Sequence, residues 1–385
     1  MQIVARGTIY DATDAPPHER IAYFTALSPL RSGAMLCSFQ LGPGKHSPHS
    51  TIGLCRSDDR GDSWQRQPYE FRRVIDGAPG SLAGAELVEV EPGRLLLFAT
   101  WYDRSDPDRP LFDPVTEGIL RGKQLYAVSS DEGRTWSDWQ EIATPGLTGR
   151  ATTGPLVQWP DGTIAYCFES FKDYDDPRPS RHAAWMLVSR DGGRTFSQPL
   201  RVAKHPDDKI YYWDQRLTPG RRPAEFVALF WTHDLPNQRD LRVHIARGKV
   251  TPAAVAGVET MSIEVETPRE TTIPGQIAAP LLHGNRLLAF VVDRARPGTM
   301  RLWSSSDDGA TWPEGGCLTI HTHEERAALS QGQENIDFKQ YWEDMGKWSF
   351  GHPALRRWDD QHVLAAWYAG TPQTMSIHWA RVRVE

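Results

Sequence analysis

One octapeptide occurs four times, and its spacing constrains the fold more than any other feature of the chain. Residues 57–64 read SDDRGDSW, 129–136 read SSDEGRTW, 189–196 read SRDGGRTF and 305–312 read SSDDGATW. Their starts lie 72, 60 and 116 residues apart, the last close to twice 58. A feature that returns at such a period marks an arrayed supersecondary unit, not a single catalytic loop. Asp59, Asp131, Asp191 and Asp307 are placed to accept backbone amide hydrogen bonds in a turn. Gly61, Gly133, Gly193 and Gly309 supply the positive φ such a turn needs. The closing aromatic (Trp64, Trp136, Phe196 or Trp312) reads as a wedge between neighbouring sheets. The doubled interval predicts a degenerate fifth copy near residue 247, where HIARGKVTP (244–252) reads as a strand and a turn. The same period predicts a last strand in SIHWARVRV (376–384).

A second pattern runs ahead of these boxes: an apolar strand, a turn, then a stronger apolar strand. It recurs at 22–39, 85–101, 154–170, 213–234, 277–294 and 352–368. Six such units, each followed by one or two more strands, predict an all-β chain: a six-bladed β-propeller of four-stranded antiparallel blades. The expected organisation is one domain over 1–385, with blades near 20–70, 80–145, 150–203, 210–265, 274–318 and 349–384. HEERAALSQGQE (323–334) has helical periodicity, so an insert at 320–348 is expected to carry one short helix.

Composition narrows the function classes. The 43 basic and 49 acidic residues leave a net charge of −6, without the basic excess of a nucleic-acid binder. No apolar run approaches the length of a membrane span, so no membrane partner is expected. The N-terminus has neither a basic n-region nor an apolar h-region, and the expected location is the cytoplasm. Cys37, Cys55, Cys167 and Cys317 have no metal-ligand or disulfide-framework spacing and read as free thiols. The pair His321 and His323, with Glu324 beside it, has no further ligand at suitable spacing, so neither a metal nor another cofactor is expected. Fifteen Trp residues suit flat contacts with a carbohydrate.

The blade period locates a site without coordinates, because inner-strand starts and second-strand exits converge at one mouth of a propeller. The starts include Trp213-Asp214-Gln215-Arg216, Gly275-Gln276, Thr153-Gly154 and Gly351-His352. The exits carry carboxylates at Asp103, Glu169, Asp234 and Asp293. Paired carboxyl groups on one rim suit glycosidic-bond chemistry, one as acid and one as base or nucleophile. Asp214, Glu169, Asp234, Asp293 and His352 are therefore the candidate catalytic residues, with Asp214 leading. Arg216 and Arg294 offer paired N–H donors, and Gln276, Lys172, His49 and Tyr368 further polar contacts. Trp231 and Trp101 are candidate sugar platforms.

The four boxes and the six units resemble the sialidase superfamily, with its Asp-box (BNR) repeats and six-bladed propeller, over residues 20–384. The resemblance implies that fold and activity on glycans. It does not carry the sialidase catalytic set onto this chain. Arg20-Ile21-Ala22 lacks the proline of the family's Arg-Ile-Pro motif, and Gly351-His352-Pro353 stands where the family has its nucleophilic tyrosine. No Glu precedes Trp213-Asp214-Gln215-Arg216. The expected function is thus a sialidase-like, exo-acting glycoside hydrolase on a non-sialic, acidic or deoxy sugar. A propeller lyase cutting beside a uronic acid, and a non-catalytic glycan-binding propeller, are the alternatives.

Overall fold

A computed structural model of the chain describes residues 1–152, 154–255, 258–295, 297–324 and 345–384. Strands dominate, and the described helical turns are short, at Pro17–Glu19 and Glu314–Gly316. The strands form five hydrogen-bonded sheets. Sheet 1 has eight strands in two halves. Half 1a holds Ile21–Pro29, Met35–Gly42, Thr51–Ser57 and Gln65–Gln67. Half 1b holds Phe350–Arg357, His362–Thr371, Thr374–Arg383 and the N-terminal strand Gln2–Tyr10. A single parallel pair, Ile21 with Met375, joins the halves. Sheet 2 runs from Gly80–Glu91 to Gln140–Ile142, and sheet 3 from Arg150–Thr152 to Leu200–Ala203. Sheet 4 runs from Ile210–Pro219 to Val258–Val265, with a short Arg269–Glu270 strand, and sheet 5 from Ala278–His283 to Leu318–His323.

The apolar core is a series of layers between neighbouring sheets. Leu36, Leu54, Leu87 and Leu97 fill the layer between 1a and sheet 2. Phe98, Tyr166 and Phe168 stack between sheets 2 and 3. Met186, Phe226 and Phe230 join sheet 3 to 4, Leu229, Ala289 and Trp303 join 4 to 5, and Phe290, Leu355 and Val363 join 5 to 1b. Tyr23, Phe39, Leu364 and Tyr368 then pack 1b against 1a. Strands buried on both faces explain continuous runs such as Leu95–Ala99.

All four octapeptides form the same turn between the third and fourth strands of their sheets. The opening Ser hydroxyl (Ser57, Ser129, Ser189, Ser305) donates to the Asp at 2.7–2.8 Å. The same oxygen accepts the glycine amide at 2.7–2.8 Å. The second Asp oxygen accepts the hydroxyl of Ser63, Thr135, Thr195 or Thr311 at 2.6 Å. Each glycine has φ between 81° and 95°. The aromatics end where the wedge reading puts them: Trp136 in the 1a–2 layer, Phe196 beside the 2–3 layer and Trp312 in the 4–5 layer.

Two expectations need correction. His244–Val255 is one continuous strand, so residues near 247 contain no turn. Residues 318–323 are not the start of a helical insert. They form the fourth strand of sheet 5, paired with Gly298–Ser305, so His323 is a strand residue. Glu324 is not helical, residues 325–334 lie outside the described residues, and no helical insert appears among the described ones. No helix among the described residues is long and apolar enough to cross a membrane.

Candidate active site

The first strands of 1a, 1b and sheets 2 and 4 share a defect that creates the site. Each is interrupted by a bulge, between Tyr23 and Ala26, Gly351 and Ala354, Ala83 and Glu86, and Trp213 and Arg216. Each bulge carries a positive φ: Phe24 at 55°, His352 at 52°, Gly84 at 64° and Asp214 at 46°. A bulge re-aims a side chain out of the strand's alternation. For a non-glycine residue that geometry costs about 1–3 kcal/mol and persists only where the surroundings hold it.

Phe24, Asp214 and His352 thereby line one cavity of about 90 Å³. Half 1a adds His46, sheet 2 adds Tyr102 and Ala83, sheet 3 adds Thr152, Glu169 and Phe171, and sheet 4 adds Trp213 and Trp231. Leu111, Phe112 and Ile119, from the loop after Arg94–Asp103, complete one wall, and Met345 closes another side. A second cavity, about 300 Å³, lies further along the first strands of 1a, 1b and sheets 2 and 4. It is lined by Ser28, Leu87, Val157, Leu217, Pro280 and Leu355, so every sheet and both halves of sheet 1 reach it.

Burial is the main cause of the Asp214 chemistry. It raises the carboxyl from 3.8 to about 6, against the opposing pull of Arg216 and then Arg294. Glu169 is 1% exposed, and one of its oxygens accepts the Gln215 amide at 3.3 Å, which ties it to the residue after Asp214. Arg216 donates from Nη2 to His352 Nε2 at 2.6 Å. Guanidinium only donates, so Nε2 is the acceptor and Nδ1 carries the proton, donated to the Thr25 carbonyl at 3.1 Å. Burial, reinforced by the Arg216 charge, holds the His352 imidazole far below its ordinary range, hence neutral. Beneath the pocket, burial raises Glu86 to about 7, with Arg216 and Arg356 opposing.

The other sequence-predicted residues fall into three groups. Trp231 lines the pocket, Arg294 stands over Trp231, and Gln276 and Tyr368 bond Arg294. Arg294 lies 4.0 Å over Trp348 and 5.9 Å from Trp231, and its amide donates to Gln276 Oε1 at 3.0 Å. Tyr368 accepts from Lys45 Nζ at 3.0 Å, and burial pushes its phenol up to about 12. Asp234 and Asp293 stand at strand exits as turn formers: Asp234 accepts from Asn237, and Asp293 from the Ala295 amide at 2.9 Å. Neither lines the cavity. Trp101, Lys172 and His49 also lie off it. Trp101 sits in the 1a–2 apolar layer and donates to the Arg73 carbonyl at 2.8 Å. Lys172 donates to the Arg178 carbonyl at 2.7 Å, and His49 is exposed.

Two contributors carried little sequence signal. Lys45 is half-buried and donates to the Met345 and Trp348 carbonyls at 3.0 and 2.8 Å as well as to Tyr368, pinning the 345–348 segment against half 1a. Its ammonium is pushed well below the usual range by burial and by Arg294. The loop bearing Leu111, Phe112 and Ile119 had one available clue: the first box interval is 72 residues where the next is 60. Among the described residues no group of three metal-ligating side chains occurs.

Comparison with solved structures places this architecture. A protein of unknown function from Dyadobacter fermentans superposes with a TM-score of 0.70, at 18% identity, over 100% of this chain and 99% of that one. A Hadza microbial sialidase gives 0.67 at 17% identity, over 98% of this chain and 68% of its own. A Penicillium chrysogenum α-L-arabinanase, solved with arabinobiose, gives 0.59 at 12%, over 100% and 99%. These likenesses show the fold class, a sialidase-like propeller. No family model matches the sequence, and no curated protein matches it.

Proposed function

We propose that the chain is a six-bladed Asp-box propeller and an exo-acting glycoside hydrolase of glycans. Asp214 is the acid/base, and Glu169 is the second carboxyl group. The six-blade reading is supported by six apolar layers that run in chain order and return from 1b to 1a. The four identical Ser–Asp–Gly turns support the Asp-box reading. The single observation that carries the activity is Asp214, held on a strained bulge in a cavity and raised to about 6 beside a second buried carboxyl group. A carboxyl poised there holds its proton near neutrality and delivers it to a leaving glycosidic oxygen. Glu169 serves the opposite face of the sugar, as base or nucleophile. Arg216 keeps His352 neutral and fixed and lowers the cost of ionising Asp214. A small cavity closed on several sides suits a terminal residue over an internal stretch of chain. The named activities of the sialidase and the arabinanase support a carbohydrate as the partner.

The test is a screen of aryl glycosides and plant or microbial oligosaccharides. Expected are release of reducing sugar without an unsaturated uronate chromophore, and a loss of about 10²–10⁴-fold in Asp214→Asn. An unsaturated product would replace hydrolysis with elimination. Binding without turnover, unchanged by Asp214→Asn, would replace it with recognition alone.

A further inference from the structure

The cavity lining combines an apolar wall with polar groups. On the sheet 2–3 side, Ala83, Leu111, Phe112, Ile119, Ala151 and Phe171 form an apolar wall. Apart from the Glu169 carboxyl group, the polar side chains of that part are already committed among the described residues. The Tyr102 hydroxyl donates to the Arg150 carbonyl at 3.1 Å, and Thr152 Oγ1 lies 2.8 Å from Thr100 Oγ1 and bonds Gln124 at 3.1 Å. The wall is also held rigidly. Phe112 and Ile119 pair across a hairpin, Leu120 donates to the Leu111 carbonyl at 3.0 Å, and Ile119 donates to the Lys172 carbonyl at 3.1 Å.

Elsewhere in and around the lining, hydrogen-bonding capacity is open at particular atoms. Neither ring nitrogen of His46 has a partner among the described residues, although both are buried, and Arg216 Nε is in the same condition. Burial and the nearby Lys45 and Arg104 charges keep His46 neutral, so its ring offers one donor and one acceptor. Buried polar atoms without partners call for a ligand or water that completes them. Asp214 lines the same cavity.

We propose that the pocket selects a 6-deoxyhexose, its C6 methyl seated against Leu111, Phe112, Ile119 and Phe171 and its ring hydroxyls directed to His46 and Asp214. The proposal rests on the glycan reading of the pocket. A hydroxymethyl group in the same place would bring a hydroxyl against a wall whose described side chains are apolar, and a buried hydroxyl left unpaired is disfavoured.

Calorimetric titration of the intact protein with two sugar pairs, each differing by one hydroxyl, tests this: L-fucose against L-galactose, and L-rhamnose against L-mannose. The deoxy member of at least one pair should bind about 10- to 100-fold more tightly. Ile119→Thr and the half-buried Phe112→Tyr, which each place a hydroxyl in the wall, should narrow that ratio to within a few-fold. The Phe112 variant keeps the test standing if the Ile119 variant fails to fold. Equal binding within both pairs, no binding of any of the four sugars, or a ratio untouched by a folded variant overturns the assignment. Selective binding of a deoxy sugar whose aryl glycosides are not cleaved leaves the assignment standing and sinks the hydrolase reading. Preferential cleavage of hydroxymethyl glycosides does the reverse.

Discussion

Asp214→Asn separates the two consequences that burial has for one carboxyl group. The substitution removes the proposed proton donor, and it also removes a charge that the pocket desolvates. Raising this acid from 3.8 to about 6 corresponds to about 3 kcal/mol between its two protonation states. The sign follows from proton counting. Between 3.8 and about 6 the folded protein keeps the proton while the unfolded chain has lost it, so stability falls as pH rises through that window and is flat above it. Asparagine is neutral throughout and escapes the loss. The variant should therefore be more stable than the parent by up to about 3 kcal/mol at slightly alkaline pH, and equal to it below 3.8. Urea unfolding at a series of pH values measures the difference. In parallel kcat/KM should fall by about 10²–10⁴-fold, and the decline in parent activity as pH rises past about 6 should vanish from the residual rate. A variant that gains stability and loses activity is the expected signature of a functional carboxyl group kept at a cost. An active variant refutes the catalytic assignment. An inactive variant with no gain at high pH refutes the electrostatic argument.

Arg216→Met deprives Asp214, Glu169 and Glu86 of their shared cation and leaves His352 Nε2 without its donor; chemical denaturation should show a loss of about 3–5 kcal/mol, and under about 1 kcal/mol would contradict the network. The turn aspartates predict the acid limb of stability. Hydrogen bonds led by Ser63 and Thr311 hold Asp59 and Asp307 down to about 2. Their contribution is present above 3.8 and lost as pH falls towards 2, so Asp307→Asn should flatten the acid unfolding followed by circular dichroism. Gly193 and Gly162 form a matched pair of controls, with φ of 81° and 86°. A Cβ on Gly193 would lie 2.2 Å from Leu96 Cδ1, whereas one on Gly162 meets nothing within 4 Å. Gly193→Ala should thus cost about 2–4 kcal/mol in thermal unfolding and Gly162→Ala about 1 kcal/mol.

The sequence exposes what repeats and conceals what breaks the repeat. Ser129, Asp131 and Gly133 are readable because the same hydrogen bonds recur at Ser57, Ser189 and Ser305, and recurrence itself separates a structural aspartate from a catalytic one. The strand–turn–strand pattern locates Trp213–Arg216 and Gly351–His352 for the same reason. Asp234 and Asp293 look equivalent to Glu169 on that pattern because all three end a second strand. What differs is the local turn: Asn237 and the Ala295 amide follow the first two and capture them, while Glu169 points inward to the Gln215 amide. Trp101 is indistinguishable by spacing from a sugar platform, yet sheet packing fixes it between layers, where its indole donor meets the Arg73 carbonyl. Lys45 and the Leu111–Ile119 wall belong to loops whose course depends on contacts more than 50 residues away, and no local periodicity encodes those.

The contrast between the two kinds of positive φ carries the argument one step further. At the outer turns glycine takes the left-handed conformation, at Gly61, Gly133, Gly193 and Gly309, so the geometry is nearly free and serves only to reverse the chain. At the inner bulges Phe24, Asp214 and His352 take it, where glycine would be cheaper and Gly84 shows that glycine fits. Retaining a side chain at a strained backbone position makes sense only if the side chain is needed there, because the same strand could otherwise relax. All three of those side chains face one cavity. Replacing His352 or Phe24 by glycine should therefore relieve strain while emptying the pocket wall: stability measured by urea unfolding should change by less than the several kcal/mol expected for truncating a large buried side chain, because relief of about 1–3 kcal/mol offsets part of it. A full cavity-sized loss at both positions would mean that the bulges are unstrained, and their side chains ordinary core.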